Sequence, residues 1–167
     1  MKTPIFITAM LVFLAFSAFF SATEIAFTSL NKLRLEKMAE KSKAAKVALR
    51  VSNRFNVALS TILIGNNLVN TFSSSVATAF TVALTGNEAT GATIASVLVT
   101  VVVLIFGEIL PKVFAKQHAL SFACRVSLPI AILMVIFRPI TLIVLGIISI
   151  PASLRKKKDP DDELPTV

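Results

Sequence analysis

Two acidic residues lie where the sequence otherwise carries almost no charge. Glu24 follows an uncharged run over residues 3–23, and Glu108 follows another over residues 89–107. Inserting an ionised carboxylate into the hydrocarbon core of a membrane costs about 2.5–3.5 kcal/mol, so such a residue needs a partner and is a candidate for function. The structural alternatives are that Glu24 caps a helix or pairs with a basic residue, and that Glu108 pairs with Lys112, four positions later. We interpret both carboxylates as candidate groups for binding or gating a cation.

Two serines precede Glu24 at a spacing that puts all three side chains on one helix face. Ser17, Ser21 and Glu24 stand at positions i, i+4 and i+7, which a helix brings to the same side. Small hydroxyl residues also allow close packing between membrane helices, and that alternative accounts for the serines by themselves. The carboxylate on the same face favours a polar cavity in which the serine oxygens are candidate ligands.

Three asparagines lie inside a further uncharged run, residues 55–87. On a helix, Asn67, Asn70 and Ser74 share one face, and Asn66 and Asn70 share an adjacent one. Amides in hydrocarbon are unfavourable without partners. Hydrogen bonds between helices, at about 0.6 kcal/mol each, would explain one asparagine. Three asparagines predict amide oxygens that line an ion site.

The motif Gly107-Glu108-Ile109-Leu110-Pro111 adds a backbone oxygen to this set. Proline has no N–H, so the carbonyl of Gly107, four residues earlier, loses its helical donor. The sequence therefore predicts a third membrane helix that is broken at Pro111, as is tolerated where a helix lines a cavity. Hydroxyl, amide, carbonyl and carboxylate oxygens, without Cys or His, predict a site for Mg²⁺, Ca²⁺ or Na⁺ rather than for zinc or copper.

Membrane helices must position these groups. The chain of 167 residues is 55% hydrophobic and 16% charged, whereas soluble domains have about 45–50% and about 25%. A span needs about 20 residues, and the uncharged runs predict spans over about 4–30, 56–84 and 91–110. The predicted fold class is all-α integral membrane. The apolar content argues against a soluble nucleic-acid-binding protein, although the net charge is +8.

The distribution of basic residues predicts the topology. Segment 32–54 is rich in Lys and Arg, whereas the connection 86–90 carries only Glu88, and basic loops stay in the cytoplasm. With a second basic cluster at 155–158, the N-terminus is expected outside and the C-terminus in the cytoplasm, which requires an odd number of spans. Three spans satisfy this requirement if the proline-punctuated region 119–153 forms juxtamembrane helices that do not cross.

The remaining segments complete the predicted organisation. Residues 1–154 form the transmembrane domain, and residues 155–167 form a cytoplasmic linker towards an absent regulatory domain. Segment 32–54 is predicted to be an amphipathic belt on the lipid headgroups, the alternative being a solvated polar loop. A signal peptide is the alternative for residues 1–23, but their apolar run is longer than the usual core of about 7–15 residues.

Three motifs in these segments, taken together, resemble the transmembrane domain of the CorC/CNNM magnesium transporters. They are Ser17-x-x-x-Ser21-x-x-Glu24-x-Ala26, Gly65-Asn66-Asn67 and Gly107-Glu108-Ile109-x-Pro111-Lys112. The resemblance covers nearly the whole chain. It implies a homodimer in the lipid bilayer, with three spans per subunit and a belt of juxtamembrane helices. It also implies Mg²⁺ export driven by Na⁺ entry through alternating access, and a cytoplasmic CBS-type domain in the full-length protein.

The same resemblance identifies the candidate residues. Seven would bind Mg²⁺ through their oxygens: Ser17, Ser21, Asn66, Asn67, Asn70, Gly107 and Glu108. Three more would gate the path or bind the coupling ion: Glu24, Ser74 and Pro111. The alternative function is a membrane anchor or scaffold for a cytoplasmic regulatory domain, without transport of its own. An enzyme is not expected, because the sequence has no HExxH motif and no paired nucleophile and base.

Overall fold

The computed structural model describes residues 3–143, which are helical with short turns and contain no strand. The α-helices are α1 (Thr3–Ser29), α2 (Lys32–Ala39), α3 (Lys43–Asn53), α4 (Phe55–Thr85), α5 (Glu88–Val102), α6 (Leu110–Gln117) and α7 (Ala119–Ile136). A π segment, Val103–Ile109, joins α5 to α6, and residues 138–143 are again helical. The prediction of an all-α protein is confirmed over this range. The predictions for residues 144–153 and for the linker 155–167 lie outside the described residues.

Four helical units are long and apolar enough to cross a membrane. The first three are α1, α4 and the continuous unit from Glu88 to Gln117, and they correspond to the three predicted spans. The fourth is α7, for which the sequence predicted a juxtamembrane helix; Pro129 lies within α7 and does not end it. The described residues therefore form a multi-pass membrane protein, in which α7 also meets the length and apolarity of a span.

The third unit corrects the prediction of a helix broken at Pro111. The chain stays helical from α5 to α6, and Pro111 lies in the first turn of α6, where a missing N–H is tolerated. The distortion comes before the proline, because the Leu110 N–H donates to the carbonyl of Ile105, five residues earlier. The helix widens over Val103–Ile109 instead of ending. Such π segments are frequent at functional sites.

α4 and α5 form a tight helical hairpin. Gly86 ends α4 with a φ of 65°, a left-handed conformation that glycine adopts without a steric penalty. Asn87 then caps α5 by accepting the Thr90 N–H at 3.1 Å. Thr81 Oγ1 donates to the Gly91 carbonyl across the hairpin at 2.6 Å, and a Cβ at Gly91 would collide with the backbone of α4. These contacts therefore fix the antiparallel packing of α5 against α4.

The predicted amphipathic segment 32–54 is helical, as two helices instead of one. Asn31 caps α2 by accepting the Arg34 N–H at 3.0 Å, and Ser42 caps α3. Four buried side chains of the two helices pack against Leu120 and Cys124 of α7; they are Leu35, Ala39, Ala45 and Ala48. The basic residues of α2 and α3 are exposed. Because α3 also packs side by side with α7, this pair of helices lies beneath a basic surface.

α1 is the central helix and packs against α4, α6, α7 and the π segment. Small residues allow the close approach, as is common between membrane helices. A Cβ at Gly65 on α4 would collide with the ring of Phe20, and Ala26 on α1 and Ala115 on α6 are fully buried. This packing brings the polar face of α1 against both α4 and the π segment.

Candidate metal site

Ser17 connects two of the asparagines in the interior of the helix bundle. Its hydroxyl oxygen lies 2.9 Å from Asn70 Oδ1 and 3.3 Å from Asn66 Oδ1. Ser17 and Asn66 are buried. A serine hydroxyl has one proton and the amide oxygens have none, so three oxygens share a single donor. The cluster is therefore rich in lone pairs that a cation can use.

The spacing of these oxygens suits a small divalent cation. Adjacent ligands of an octahedral Mg²⁺ ion, each about 2.1 Å from the metal, lie roughly 3.0 Å from one another. The oxygens of Ser17 and Asn70, and of Ser17 and Asn66, lie within a few tenths of an ångström of that separation. Both separations are compatible with oxygens that act as adjacent ligands of one ion.

Gly107 brings the backbone of the π segment against this cluster. Gly107 is buried, and a Cβ at its position would lie 3.0 Å from Ser17 Oγ and 3.3 Å from Ser17 Cβ. A side chain here would require Ser17 to move by a few tenths of an ångström, so glycine permits the closest approach. Pro111 withholds one N–H donor from the carbonyls of the preceding turn. The backbone of the π segment therefore lies beside Ser17, and its carbonyl acceptors outnumber the N–H donors available to them by one.

Ser21 lies one turn after Ser17 and is fully buried. Its hydroxyl is the one buried side-chain polar group in the described part of the chain that has no hydrogen-bond partner. Leaving a buried polar group unsatisfied costs about 1–3 kcal/mol. A hydroxyl held in this way, on the face that also carries Ser17, is a ready ligand for an ion.

Lys112 connects the two carboxylates. Its Nζ lies 3.4 Å from Glu24 Oε2 and 3.7 Å from Glu108 Oε1, and the three side chains are between a quarter and a third exposed. Both acids therefore pair with the same basic residue, as their structural alternatives expected. Two carboxylates and one ammonium group leave the trio with a formal net charge of −1. The sequence indicated Lys112 as a partner of Glu108, whereas its pair with Glu24 depends on the packing of α6 against α1.

The structure separates Asn67 and Ser74 from the Ser17 cluster. Both side chains are exposed and line an open groove on another side of α4. We call the polar residues of this surface the open face of α4; they are Asn67, Asn70, Thr71, Ser74, Ser75 and Thr78. Asn70 also lines the groove, so it belongs both to the open face and to the buried cluster. The three asparagines therefore differ in their surroundings, as their positions around a helix require.

The chemistry of the buried cluster is that of hard oxygen ligands. Within residues 3–143, no three side chains of the types His, Cys, Asp or Glu come together. A metal in this region would depend on hydroxyl and amide oxygens, with Glu108 and Glu24 as nearby sources of negative charge. Neutral and anionic oxygens suit Mg²⁺, Ca²⁺ or Na⁺, whereas zinc and copper prefer nitrogen and sulfur.

Comparison with known proteins identifies relatives of this chain by sequence. The chain is 39% identical over 132 residues to a UPF0053 protein of Haemophilus influenzae, which covers 78% of the chain and 31% of the relative. It is 35% identical over 125 residues to the UPF0053 inner membrane protein YfjD of Escherichia coli, covering 74% and 29%. A chloroplastic DUF21 domain-containing protein of Arabidopsis thaliana is 32% identical over 160 residues, covering 92% and 24%.

The chain spans about a third or less of the length of these three relatives. The match to a family extends over almost all of the chain itself, because residues 7–163 fit the Cyclin M transmembrane N-terminal domain. The resemblance inferred from the three sequence motifs is thereby confirmed: the chain belongs to the CorC/CNNM family, as its transmembrane domain.

Proposed function

We propose that this domain transports Mg²⁺ across the membrane and that the Ser17 cluster binds the ion on its way. The observation that carries the proposal is the meeting of Ser17, Asn66 and Asn70, three oxygens that share one proton at the spacing of adjacent Mg²⁺ ligands. Ser21 adds an unpartnered hydroxyl, and Gly107 adds the backbone of the π segment. Mg²⁺ is the substrate in this proposal.

In our proposal, Lys112 occupies the place of a cation when no ion is bound. Its ammonium group bridges Glu24 on α1 and Glu108 in the π segment, and it therefore holds the two helices together. An arriving Mg²⁺ ion competes with the ammonium for the carboxylates, and displacement of Lys112 loosens that contact. Glu24 thus acts as a gate, and Glu108 supplies countercharge to the ion.

We further propose export by alternating access, coupled to Na⁺ entry. The remaining net negative charge of the Glu24–Lys112–Glu108 trio can attract either cation, and a hard-oxygen site can bind both. Coupling then requires that Na⁺ and Mg²⁺ compete for the same carboxylates, so that one state of the domain binds one ion at a time.

Three spans per subunit remain our proposal for the topology, with an external N-terminus and a cytoplasmic C-terminus. α7 lies along α3, because its first turns pack on Ala45 and Ala48 and its last turns share a cavity with Arg50 and Arg54. A helix as basic as α3 does not cross a bilayer. We therefore propose that α7, which follows α3, belongs to the same juxtamembrane layer, although it also packs against α1.

A homodimer accounts for the open face of α4. Its amide and hydroxyl side chains lie exposed on a helix long and apolar enough to cross the membrane, where polar groups favour contact with another helix over contact with lipid. In this proposal a second copy of the chain covers Asn67 and Ser74, which places them at the dimer axis, and Asn70 links that contact to the ion.

The test is Mg²⁺ flux in proteoliposomes, with and without an opposing Na⁺ gradient, for the wild type and for Glu108→Ala. We expect flux in the wild type, acceleration by the Na⁺ gradient, and loss of flux in the variant. Lys116→Ala is the matched control, because Lys116 is exposed one turn after Lys112 and forms no ion pair within residues 3–143. Equal flux in wild type and Glu108→Ala would refute the site, and indifference to Na⁺ would refute the coupling.

The second candidate function is a membrane anchor for a further domain. It is favoured by one observation: the relatives extend well beyond the region that this chain matches. An anchor predicts no flux in the wild type and no protection of the fold by Mg²⁺. The same proteoliposomes therefore distinguish the two functions.

A further inference from the structure

We propose that the domain holds one anionic phospholipid in a defined site, separate from the ion path. A cavity of about 660 Å³ opens where α3, the start of α4 and the end of α7 meet. Arg50 lies in the last turn of α3, Arg54 immediately precedes α4, and Arg138 follows α7. All three arginines line this cavity.

Among residues 3–143, the lining of the cavity contains three arginines and no acidic side chain. The ion pairs found within the same range both involve Lys112. Arginine binds phosphate oxygens through two parallel N–H donors, which makes it well suited to phosphate groups. α4 also begins here without a side-chain cap, so the N–H groups of its first turn add to the positive potential.

Part of the lining of the cavity is apolar. Val57 of α4 and Met134 and Val135 of α7 line it together with the arginines. Beyond the cavity, the exposed side of α7 continues with Leu128 and Ile132. A ligand that fits this site therefore has an anionic head and an apolar tail.

The position of the cavity favours a lipid over a soluble anion. Phe55, the first residue of the long apolar helix α4, follows Arg54 directly, so the arginines lie at the level where the chain enters the membrane. A phosphodiester headgroup reaches that level, and its acyl chains can follow the apolar surface of α7. Clusters of basic residues at the ends of spans are typical binding sites for anionic lipids.

The experiment is native mass spectrometry of the purified chain in neutral detergent, with phosphatidylglycerol and phosphatidylcholine of equal chain length. The test variant is Arg50→Gln/Arg54→Gln/Arg138→Gln. The control, Arg34→Gln/Lys37→Gln/Lys41→Gln, removes the same charge from another basic cavity, one that Glu40 also lines. We expect the wild type and the control to retain one phosphatidylglycerol per chain, and the test variant to bind it roughly a hundredfold more weakly.

Three results would overturn the proposal. Equal loss of phosphatidylglycerol in test and control variants would show a general effect of charge, and equal retention of phosphatidylcholine by the wild type would remove the role of the phosphate and the arginines. Competition by millimolar inorganic phosphate would identify a site for soluble anions and contradict a lipid site.

If the triple variant does not fold, Arg138→Gln and Arg138→Lys replace it, with thermal unfolding as readout. Phosphatidylglycerol should then raise the unfolding temperature of Arg138→Lys more than that of Arg138→Gln, and equal shifts would count against the site.

Discussion

The two halves of α4 carry polar side chains in different ways. Towards the hairpin, Thr81 and Thr85 each donate to a backbone carbonyl, and Thr81 also reaches across to Gly91. In the first half, Asn66 and Asn70 direct oxygens at a single hydroxyl, and Ser21 opposite has no partner. In the hairpin half the hydroxyls therefore find backbone acceptors, whereas in the cluster half two amide oxygens share one hydroxyl and a second hydroxyl has no partner.

In the function we propose, this difference separates polar groups that hold helices together from polar groups that bind an ion. A membrane interior offers no water to a polar group without a partner, so such a group is costly unless something else stabilises it. The hydroxyls of Thr81 and Thr85 find their acceptors within the chain. The cluster is expected to be more stable when a cation supplies the missing positive charge.

The largest expected effect follows from replacing Asn70 by leucine, which keeps the size of the side chain and removes its oxygen. We expect Mg²⁺ affinity to fall at least about a hundredfold, or about 2.8 kcal/mol at about 1.4 kcal/mol per tenfold. The measurement is the Mg²⁺ dependence of thermal unfolding. Thr93→Val removes a hydroxyl that is satisfied within α5 and should leave the affinity unchanged. Equal losses in both variants would abolish the distinction between the two halves.

Replacing Lys112 by methionine tests whether the lysine stands in for the ion. The carboxylates of Glu24 and Glu108 then lose their shared partner, so the local charge becomes more negative. We expect Mg²⁺ to bind about tenfold more tightly, equivalent to about 1.4 kcal/mol, and maximal flux to fall because release is slower. Lys116→Met, one turn later, is the control. Weaker Mg²⁺ binding in Lys112→Met would contradict competition between the ammonium and the ion.

Replacing Ser21 by alanine separates stability from binding. Removal of a buried, unpartnered hydroxyl should raise the free energy of unfolding by about 1 kcal/mol in the absence of Mg²⁺. The protection given by Mg²⁺ should shrink at the same time, because one candidate ligand is missing. Urea or thermal unfolding with and without Mg²⁺ measures both quantities. A variant that is less stable without Mg²⁺ would show that Ser21 is structural.

The smallest effect is expected at Thr81 in the hairpin half. Thr81→Val removes the donor to the Gly91 carbonyl and should lower the free energy of unfolding by about 0.6 kcal/mol, the average for such bonds in membrane proteins. Mg²⁺ affinity should stay as in the wild type, by the same unfolding assay. A change in affinity as large as that of Asn70→Leu would mean that the hairpin contributes to the site.

Sequence reasoning succeeded where a residue's surroundings follow from its own helix. The uncharged runs predicted α1 and α4 to within a few residues, and the distribution of Asn66, Asn67 and Asn70 around α4 follows from helix periodicity. It failed where the outcome depends on packing between helices. The π segment replaced the expected break because the chain can widen by one residue per turn and remain hydrogen-bonded.

The shared role of Lys112 and the arginine cavity were also beyond the reach of the sequence. Glu24 and Lys112 stand far apart along the chain, and only the packing of α6 on α1 brings them to 3.4 Å. Arg138 likewise joins Arg50 and Arg54 because α7 lies along α3. Charges on separate helices carry no periodic signal that would pair them.

The widened turn before Pro111 has a mechanical consequence. A π turn contains one residue more than an α turn, so the third membrane helix contains a one-residue insertion. The position of this insertion can shift along the helix. Each step turns the side chains it passes by about 100° and advances them by about 1.5 Å, on the microsecond-to-millisecond scale of helix register shifts. The Glu108 side chain could thus swing between two orientations while the ends of the helix, held by Gly91 and Ala115, stay in place. Such a register shift within one helix would reorient Glu108 without any rigid-body motion of the bundle.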